Sequence, residues 1–304
     1  NLQNILDNSQ KAFMEWKKTS VQERQKLLTV LSEKLLENKE KFAQIITREM
    51  NKPVSQAISE IKKSAGMCAY YAEAKDVLKT EKVETEHAVS EIHYEPMGVI
   101  LGIMPWNYPF WQALRFAVPA MLSGNVVVLK HASICEETGD TLQQLFEESG
   151  FPAGTFTHVK ASHSEIEEMI ASPVIKAVSL TGSEAAGRKV AAVAGQNLKK
   201  CVLELGGSDA FIVLEDADIN KAAEDAASAR LQNCGQTCVA GKRFIIHHKI
   251  YDEFLSKFIE EYQKYIPGNP EDPETALGSM AREDLASELE NQYQKAIDNG
   301  AKIL

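Results

Sequence analysis

Two stretches of the chain place a reactive side chain on a turn that is rich in glycine. Glu204 lies just before Gly206 and Gly207, and Cys238 follows Gly235 by three residues. Because glycine lets the backbone approach a ligand closely, a thiol there can act as a nucleophile and a carboxylate as an acid or base. Each residue also has a structural alternative: the carboxylate in a salt bridge, the thiol as a small buried apolar group. Together the two residues favour covalent catalysis.

The order and spacing of these motifs resemble the aldehyde dehydrogenase superfamily, in which a Glu-Leu-Gly-Gly loop precedes a Gly-Gln-x-Cys loop. The upstream Pro-Trp-Asn at 105–107 also matches, and the resemblance covers nearly the whole chain. It is nearest to the succinate-semialdehyde-dehydrogenase-like, NAD(P)-dependent branch. The resemblance implies that Cys238 attacks an aldehyde, that Asn107 and the Cys238 N–H hold the oxyanion, and that Glu204 activates water to release a free acid. Without it, Asn107 would be interpreted as an Asx turn before a helix.

The resemblance also implies a binding site for NADP or NAD. Residues 181–187 lie between a predicted strand and a predicted helix, and alone they would indicate a serine-capped turn, since they lack the Gly-x-Gly-x-x-Gly fingerprint. The resembled family uses a Gly-Ser-x-x-x-Gly variant there. Lys130, which alone would be a generic surface lysine, matches the family's adenosine-ribose lysine. The expected cofactor contacts are Met104, Pro105, Trp106, Lys130, Ala132, Ser133, Gly182, Ser183, Leu205 and Gly206.

Three further positions bear on selectivity. Ser133 stands where members of the family often have an acidic residue that disfavours a 2′-phosphate. The loss of that repulsion predicts that NADP is accepted or preferred. Arg115 matches an arginine that semialdehyde-specific relatives use against the distal carboxylate of the substrate, but Gln232 replaces their second arginine. The expected substrate is therefore succinate semialdehyde or a related small aldehyde, with a broader aldehyde range as the alternative.

Composition argues against several other classes of function. A net charge of −10, with lysines interleaved among acidic residues, disfavours binding to nucleic acid or to an anionic membrane. No apolar run reaches the ~18 residues of a membrane span, and the first residues lack the pattern of a secretory signal. Five cysteines, an odd number without disulfide-scaffold spacing, predict a reducing cytoplasm. The seven histidines show no metal-ligand spacing, so no metal is expected.

Cys234 lies four residues before Cys238 and has two interpretations. A disulfide between the two thiols would protect the nucleophile or switch it off. A neutral structural role for Cys234 is favoured, because disulfides are rare in the cytosol.

Hydrophobic patterns predict the elements that position these residues. Helices are expected over 1–79, followed by a hairpin over 80–95 with one exposed face. From residue 96 short apolar runs alternate with helical segments, which is typical of a doubly wound parallel sheet with ligands at the carboxyl ends of its strands. Strands are predicted at 99–104, 126–129, 156–159, 177–180 and 202–203, with helices near 109–123, 135–149, 164–171 and 183–195.

A second α/β unit is predicted from residue 214. It contains helices near 217–231, 249–265 and 281–299, a strand at 243–247 and the start of a strand at 301–304. The expected fold is an aldehyde-dehydrogenase-like α/β protein with a Rossmann-variant cofactor domain (1–79 and 96–213), an oligomerisation hairpin (80–95) and a catalytic domain (214–304). By analogy with the family, a homodimer or homotetramer is expected, and the catalytic domain is expected to be incomplete at its C-terminal end.

Two alternatives belong to other functional classes. A chain without the rest of the catalytic domain could be a non-catalytic binding or structural relic, but the presence of Asn107, Glu204 and Cys238 together argues against this. A thioesterase-like hydrolase could use Cys238 and Glu204 without redox chemistry. The nucleotide-contact residues disfavour that alternative.

Overall fold

The computed structural model describes residues 2–304, which form two compact units. The first unit contains the residues up to Phe42 together with Ile58–Gly206, and the second contains Ala43–Ala57 together with Gly207–Leu304. Within the described residues, no helix has the length and apolar character needed to cross a membrane. Each unit is built around a parallel sheet of its own.

The elements alternate along most of the chain. The strands are β1 (Glu81–Lys82), β2 (Glu91–Ile92), β3 (Val99–Met104), β4 (Val126–His131), β5 (Phe156–His158), β6 (Ile175–Thr181), β7 (Lys200–Glu204), β8 (Asp209–Val213) and β9 (Gly241–Ile246). The helices are α1 (Leu2–Trp16), α2 (Val21–Glu37), α3 (Lys39–Met50), α4 (Val54–Glu73), α5 (Pro109–Leu122), α6 (Glu136–Glu148), α7 (His163–Ala171), α8 (Glu184–Gln196), α9 (Ile219–Leu231), α10 (Tyr251–Tyr262) and α11 (Glu283–Asp298).

The sheet of the first unit has five parallel strands in the order β5-β4-β3-β6-β7. Its central strand β3 starts at Val99, and the neighbouring β4 is fully buried from Val126 through Leu129. Burial on both faces is what a parallel sheet covered by helices requires, and it explains why these strands are continuous apolar runs. The doubly wound parallel sheet predicted from the sequence is therefore confirmed, with each strand found within a few residues of its predicted position.

Helix α5 connects β3 to β4 and packs against them. Pro109 occupies its first turn, where the missing N–H is tolerated, and a stripe of apolar side chains at helical spacing is fully buried. Each such side chain contributes about 1.5–3 kcal/mol by leaving water. Close contact with the sheet depends on Gly102, because a Cβ there would lie 2.3 Å from Cε1 of Phe116.

The predicted hairpin forms a short antiparallel pair. Glu81 pairs with Ile92 and Lys82 with Glu91, so the paired strands are only two residues long. Val83, Val89, Ile92 and Tyr94 are all exposed, Val89 to 75%. The hairpin is confirmed as an element, and its role in assembly stays a prediction.

The second unit contains the parallel pair β8–β9, with α9 and α10 against one face. Val213, Ala223, Ala226 and Phe254 form its buried cluster, and partly buried aromatic rings pack around it. Strand β9 begins two residues earlier than predicted. The predicted strand at 301–304 is wrong: these residues form no regular element, because nothing in the described chain pairs with them and a strand needs a partner for its hydrogen bonds.

His131 is a buried polar link between β4 and the start of α5. Its Nδ1 accepts a hydrogen bond from the Ala132 N–H at 2.9 Å, so Nε2 carries the proton and donates to the Pro109 carbonyl at 3.0 Å. Burial lowers the pKa of His131 to about 4; the Pro109 carbonyl opposes this shift, while His158 and Lys130 add to it. The imidazole is therefore neutral at physiological pH and ties two segments of the first unit together.

The neutral state of His131 predicts a loss of stability in acid. Its folded pKa lies below the ordinary value of 6.5, so the unfolded chain binds more protons between these limits. The contribution is fully present above pH 6.5 and declines as the pH falls towards 4, by about 3 kcal/mol at most. His131→Gln can preserve both hydrogen bonds but does not titrate. Urea unfolding free energies should therefore fall less steeply for this variant between pH 7 and 4.

The exposed His163 provides the matched control for this measurement. His163→Gln should show the same pH dependence as the unmodified chain. Parallel stability curves for His131→Gln and the unmodified chain would contradict the prediction.

Candidate active site

The register of the sheet brings most of the predicted site residues of the first unit to one edge. Met104, the last residue of β3, pairs with His131 at the end of β4, and Thr181 pairs with Glu204 at the ends of β6 and β7. The segments that follow these strands begin at the same carboxyl edge, where parallel sheets bind their ligands. Asn107, Lys130, Gly182 and Glu204 therefore share one edge, as the sequence predicted.

The segment that carries Asn107 is anchored on both sides. The Sγ of Cys135 lies 3.8 Å from the Trp106 carbonyl and donates to it, and His131 holds the Pro109 carbonyl. Asn107 itself is partly buried, between these two anchored carbonyls. A side-chain amide on a fixed backbone can donate to a carbonyl oxygen that becomes negative, which is the requirement for an oxyanion site.

Glu204 and Arg115 lie next to each other at this edge. The Arg115 Nη2 is 3.9 Å from the Glu204 Oε2, and the side chains are 40% and 57% exposed. An ion pair this long and this exposed contributes less than about 1 kcal/mol. Its importance is positional, because a group able to receive a carboxylate lies beside a carboxylate able to act as a base.

The predicted ribose lysine lies in a cluster of charges. Burial lowers the pKa of Lys130, and the negative charge of Glu136 opposes that shift. Glu136 also lies 3.7 Å from the Nζ of Lys160, which in turn binds Asp140 at 2.7 Å. Ser133 is exposed at the start of the short 3₁₀ helix that leads to Glu136. Glu136 lies three residues after Ser133 and was not among the residues predicted from the sequence to affect cofactor selectivity.

The segments at 182–187 and 204–206 pack together. The Gly182 N–H donates to the Glu204 carbonyl at 3.0 Å, and the Ser183 hydroxyl caps α8 by accepting the Ala186 N–H at 3.2 Å. A Cβ at Gly187 would lie 2.6 Å from the Leu205 side chain, so this glycine permits the close approach.

A cleft of about 340 Å³ opens beside these segments. It is lined by Glu184, Gly187, Arg188, Ala191, Leu203, Leu205 and Gly206. The N-terminus of α8 at one end of the cleft suits a phosphate, and Lys130 supplies a cation at the same sheet edge, two strands away on β4. The donor set of this edge therefore fits a dinucleotide.

Cys238 lies in the second unit and is exposed. It ends a turn in which Asn233 and Cys234 both have φ near 55°, followed by Gly235 at 74°. A non-glycine residue such as Cys234 in this left-handed region costs about 1–3 kcal/mol and persists only where its surroundings enforce it. Backbone strain of this kind is typical of functional sites, although it does not by itself assign one.

Lys242 fixes the backbone on the other side of Cys238. Its Nζ donates to the Cys238 carbonyl and, at 2.8 Å, to the Gly207 carbonyl. Lys242 was not among the residues predicted from the sequence, although a lysine four residues after the candidate nucleophile is a visible signal.

The thiol of Cys234 accepts the Gly278 N–H at 3.2 Å. Burial raises its pKa, an effect that the Gly278 hydrogen bond and the charge of Lys52 oppose. The protonated thiol is a poor nucleophile. Cys234 therefore has a structural contact that occupies its sulfur.

Comparisons with known proteins agree over the whole chain. The aldehyde dehydrogenase family model matches residues 1–304. A succinate-semialdehyde dehydrogenase (NADP⁺) of Deinococcus radiodurans is 40% identical over 99% of this chain and 63% of its own length. A succinate semialdehyde dehydrogenase (NAD(P)⁺) of Escherichia coli is 43% identical over 100% of this chain and 66% of its own. The chain thus spans slightly less than two thirds of these curated relatives.

A solved structure shares the fold. The crystal structure of succinic semialdehyde dehydrogenase from Streptococcus pyogenes, in complex with NADP⁺, superposes with a TM-score of 0.96 at 35% identity, covering 98% of this chain and 66% of that one. The chain belongs to the aldehyde dehydrogenase family.

Proposed function

We propose that this protein oxidises an aldehyde to a carboxylic acid with NADP or NAD, and that succinate semialdehyde or a related small aldehyde is its substrate. The observation that carries the proposal is the position of Arg115 beside Glu204, at the sheet edge that also bears Asn107. A base for water and a receptor for a distal carboxylate are the two groups that hydrolytic oxidation of a semialdehyde requires. The relatives that are named succinate-semialdehyde dehydrogenases support the same conclusion.

The chain's own residues divide the proposed reaction into two steps. The Cys238 thiolate adds to the aldehyde carbon, and the amide of Asn107 and the Cys238 N–H stabilise the negative oxygen. A bound nicotinamide dinucleotide supplies the hydride acceptor. Glu204 then takes a proton from water, which attacks the thioester carbon; the carbon–sulfur bond breaks, and the carboxylic acid and the Cys238 thiolate are released.

The residues proposed to hold the cofactor fall into three groups. Met104 ends β3 and is followed by Pro105 and Trp106; Lys130 lies near the end of the neighbouring β4, which is followed by Ala132 and Ser133; Gly182, Ser183, Leu205 and Gly206 line or adjoin the cleft beside α8. We assign cofactor binding mainly to residues 1–79 and 96–213 and catalysis mainly to 214–304, with Ala43–Ala57 and the residues from Gly207 grouped with the second unit, as its compact structure has them. The hairpin at 80–95 is proposed to build a homodimer or homotetramer, in a reducing cytoplasm.

The first test is whether substitutions of Cys238 and Glu204 abolish different steps of the proposed reaction. The intact protein, of confirmed mass, is mixed with succinate semialdehyde and NADP or NAD, and nicotinamide reduction is followed by absorbance. Cys238→Ala should lose the signal by about 10³-fold or more, because no covalent adduct forms. Glu204→Gln should keep a burst of about one reduced nicotinamide per subunit and lose about 10²-fold or more in the steady-state rate.

Cys201→Ala serves as the control, since this partly buried thiol of β7 has no part in the proposed chemistry. Its rate should match the unmodified protein. Full activity of Cys238→Ala would contradict the proposal. Absence of activity in the unmodified protein with any aldehyde would favour the non-catalytic alternative.

The role of Arg115 can be tested by comparing two aldehydes. Arg115→Leu should raise the KM for succinate semialdehyde by about 10–100-fold, because a charged hydrogen-bonded contact is worth about 1.5–3 kcal/mol. The KM for butanal, which has no distal carboxylate, should change little. Arg282→Leu, an exposed arginine paired with Asp284, is the control. Equal effects on both aldehydes would support a broad aldehyde range instead.

The charge cluster around Lys130 predicts how cofactor selectivity responds to substitution. Ser133→Glu should lower the ratio of kcat/KM for NADP to that for NAD by about tenfold, because a carboxylate repels the 2′-phosphate. Glu136→Gln should raise the same ratio. Glu137→Gln, an exposed neighbour, tests for a general effect of charge. An unchanged ratio in Ser133→Glu would show that the 2′-phosphate does not approach this position.

A further inference from the structure

Residues 276–281 of the second unit contact the turn that precedes Cys238. The Gly278 N–H donates to the Cys234 Sγ at 3.2 Å, and the Ala281 N–H donates to the Gln236 Oε1 at 3.0 Å. Two backbone donors of this segment are therefore satisfied by side chains of the turn at 232–238, which we call the nucleophile loop.

Gln56 joins the nucleophile loop and segment 276–281 through one amide group. Its Oε1 accepts the Asn233 N–H at 2.8 Å, and its Nε2 donates to the Ala276 carbonyl at 2.8 Å. Asn51 adds a third contact, because its Nδ2 donates to the Met280 carbonyl at 3.1 Å. Both side chains belong to Ala43–Ala57, so three separate stretches of the second unit meet here.

The fit around segment 276–281 is close. A Cβ at Gly278 would lie 2.2 Å from the Asn51 carbonyl oxygen and 3.5 Å from the Cys234 Sγ. Asn51 itself has φ of 58°, so its backbone is also left-handed. The short distances leave no room for a side chain at position 278, so the close approach of segment 276–281 to Asn51 and Cys234 depends on this glycine.

These contacts act on the two residues of the loop with unfavourable backbone conformations. Asn233 and Cys234 both have φ of 55°, and their N–H and Sγ are the groups held by Gln56 and Gly278. A left-handed pair without glycine relaxes unless its surroundings enforce it. Relaxation would redirect the chain four residues before Cys238.

We propose that Gln56 is a positioning residue for Cys238: its amide locks segment 276–281 onto the nucleophile loop and maintains the left-handed turn that directs the thiol. Gln56 does not touch the reacting atoms and acts only through the backbone of the loop. This inference rests on the proposed role of Cys238 as the nucleophile.

Two substitutions separate the two hydrogen bonds of Gln56. Gln56→Met has a similar size and removes both, whereas Gln56→Glu retains the acceptor for the Asn233 N–H and loses the donor to the Ala276 carbonyl. Gln263→Met, on an exposed side chain at the end of α10, is the matched control. The full chain is used, and amide hydrogen exchange, the labelling of Cys238 by iodoacetamide, kcat and KM are measured.

Gln56→Met should raise exchange in peptides covering 232–238 and 276–281 by tenfold or more. It should lower kcat by tenfold or more, with KM changed less than about threefold. Gln56→Glu should raise exchange mainly at 276–281. In both variants the exposed Cys238 should be labelled and the buried Cys68 should stay unlabelled, which shows that the protein is folded. Gln263→Met should match the unmodified protein in every measurement.

Unchanged amide hydrogen exchange in Gln56→Met would show that Gln56 does not hold segment 276–281 on the nucleophile loop, and this outcome is independent of whether the protein oxidises aldehydes. Raised exchange with an unchanged kcat would overturn the positioning role, since the contact would then be structural only. If the unmodified protein has no activity, the proposed function fails while the exchange data still decide the lock.

A second pair of variants decides the matter if Gln56→Met does not fold. Cys234→Ser keeps an acceptor for the Gly278 N–H and should retain exchange and kcat, whereas Cys234→Ala removes the acceptor and should show the changes expected for Gln56→Met. Identical exchange and kcat in the two cysteine variants would show that the contact between segment 276–281 and the nucleophile loop does not position Cys238, and this would overturn the proposal.

Discussion

The in-register pairing of parallel strands is the constraint on which the first unit depends. Met104 lies opposite His131, and Thr181 lies opposite Glu204, so these strands end level with one another. Backbone hydrogen bonding alone thus brings Asn107 and Glu204 to one edge, although about a hundred positions of sequence separate them. A shift of one residue would turn each strand's side chains to the opposite face of the sheet. The closely packed apolar residues on both faces of β4 oppose such a shift, because their shapes would no longer fit their neighbours.

The sheet fixes where the site segments begin, and side chains then fix their course. His131 connects the end of β4 to the start of α5, and Gln56 and Lys242 hold the backbone on either side of Cys238. All three bonds run from a side chain to a backbone carbonyl or N–H. Such bonds fix a loop without using the groups that face a ligand, which leaves Asn107 and Cys238 available for chemistry.

The parallel sheet and its carboxyl edge were predictable because both leave signals in the local sequence. Buried strands are continuous apolar runs, and Lys130 and Glu204 come directly where such runs end. The contacts of His131 with Pro109, of Gln56 with Asn233 and of Lys242 with Gly207 leave no such signal, since each joins segments that are distant in the sequence. The strand expected at 301–304 failed for a related reason: β-propensity cannot supply the partner that a strand requires.

The charges around Lys130 show why Ser133 alone would not decide the proposed cofactor selectivity. Ser133 removes a carboxylate, but Glu136 lies near both Lys130 and Lys160, and Asp140 binds Lys160 directly. Burial lowers the pKa of His158, although Asp140 opposes the shift, so this histidine adds little positive charge near neutral pH. The two lysines and two carboxylates are therefore close to balanced. Lys160 is already paired with Asp140 and Glu136, whereas Lys130 only experiences the charge of Glu136, so under the proposed function Lys130 is the more available cation for a 2′-phosphate.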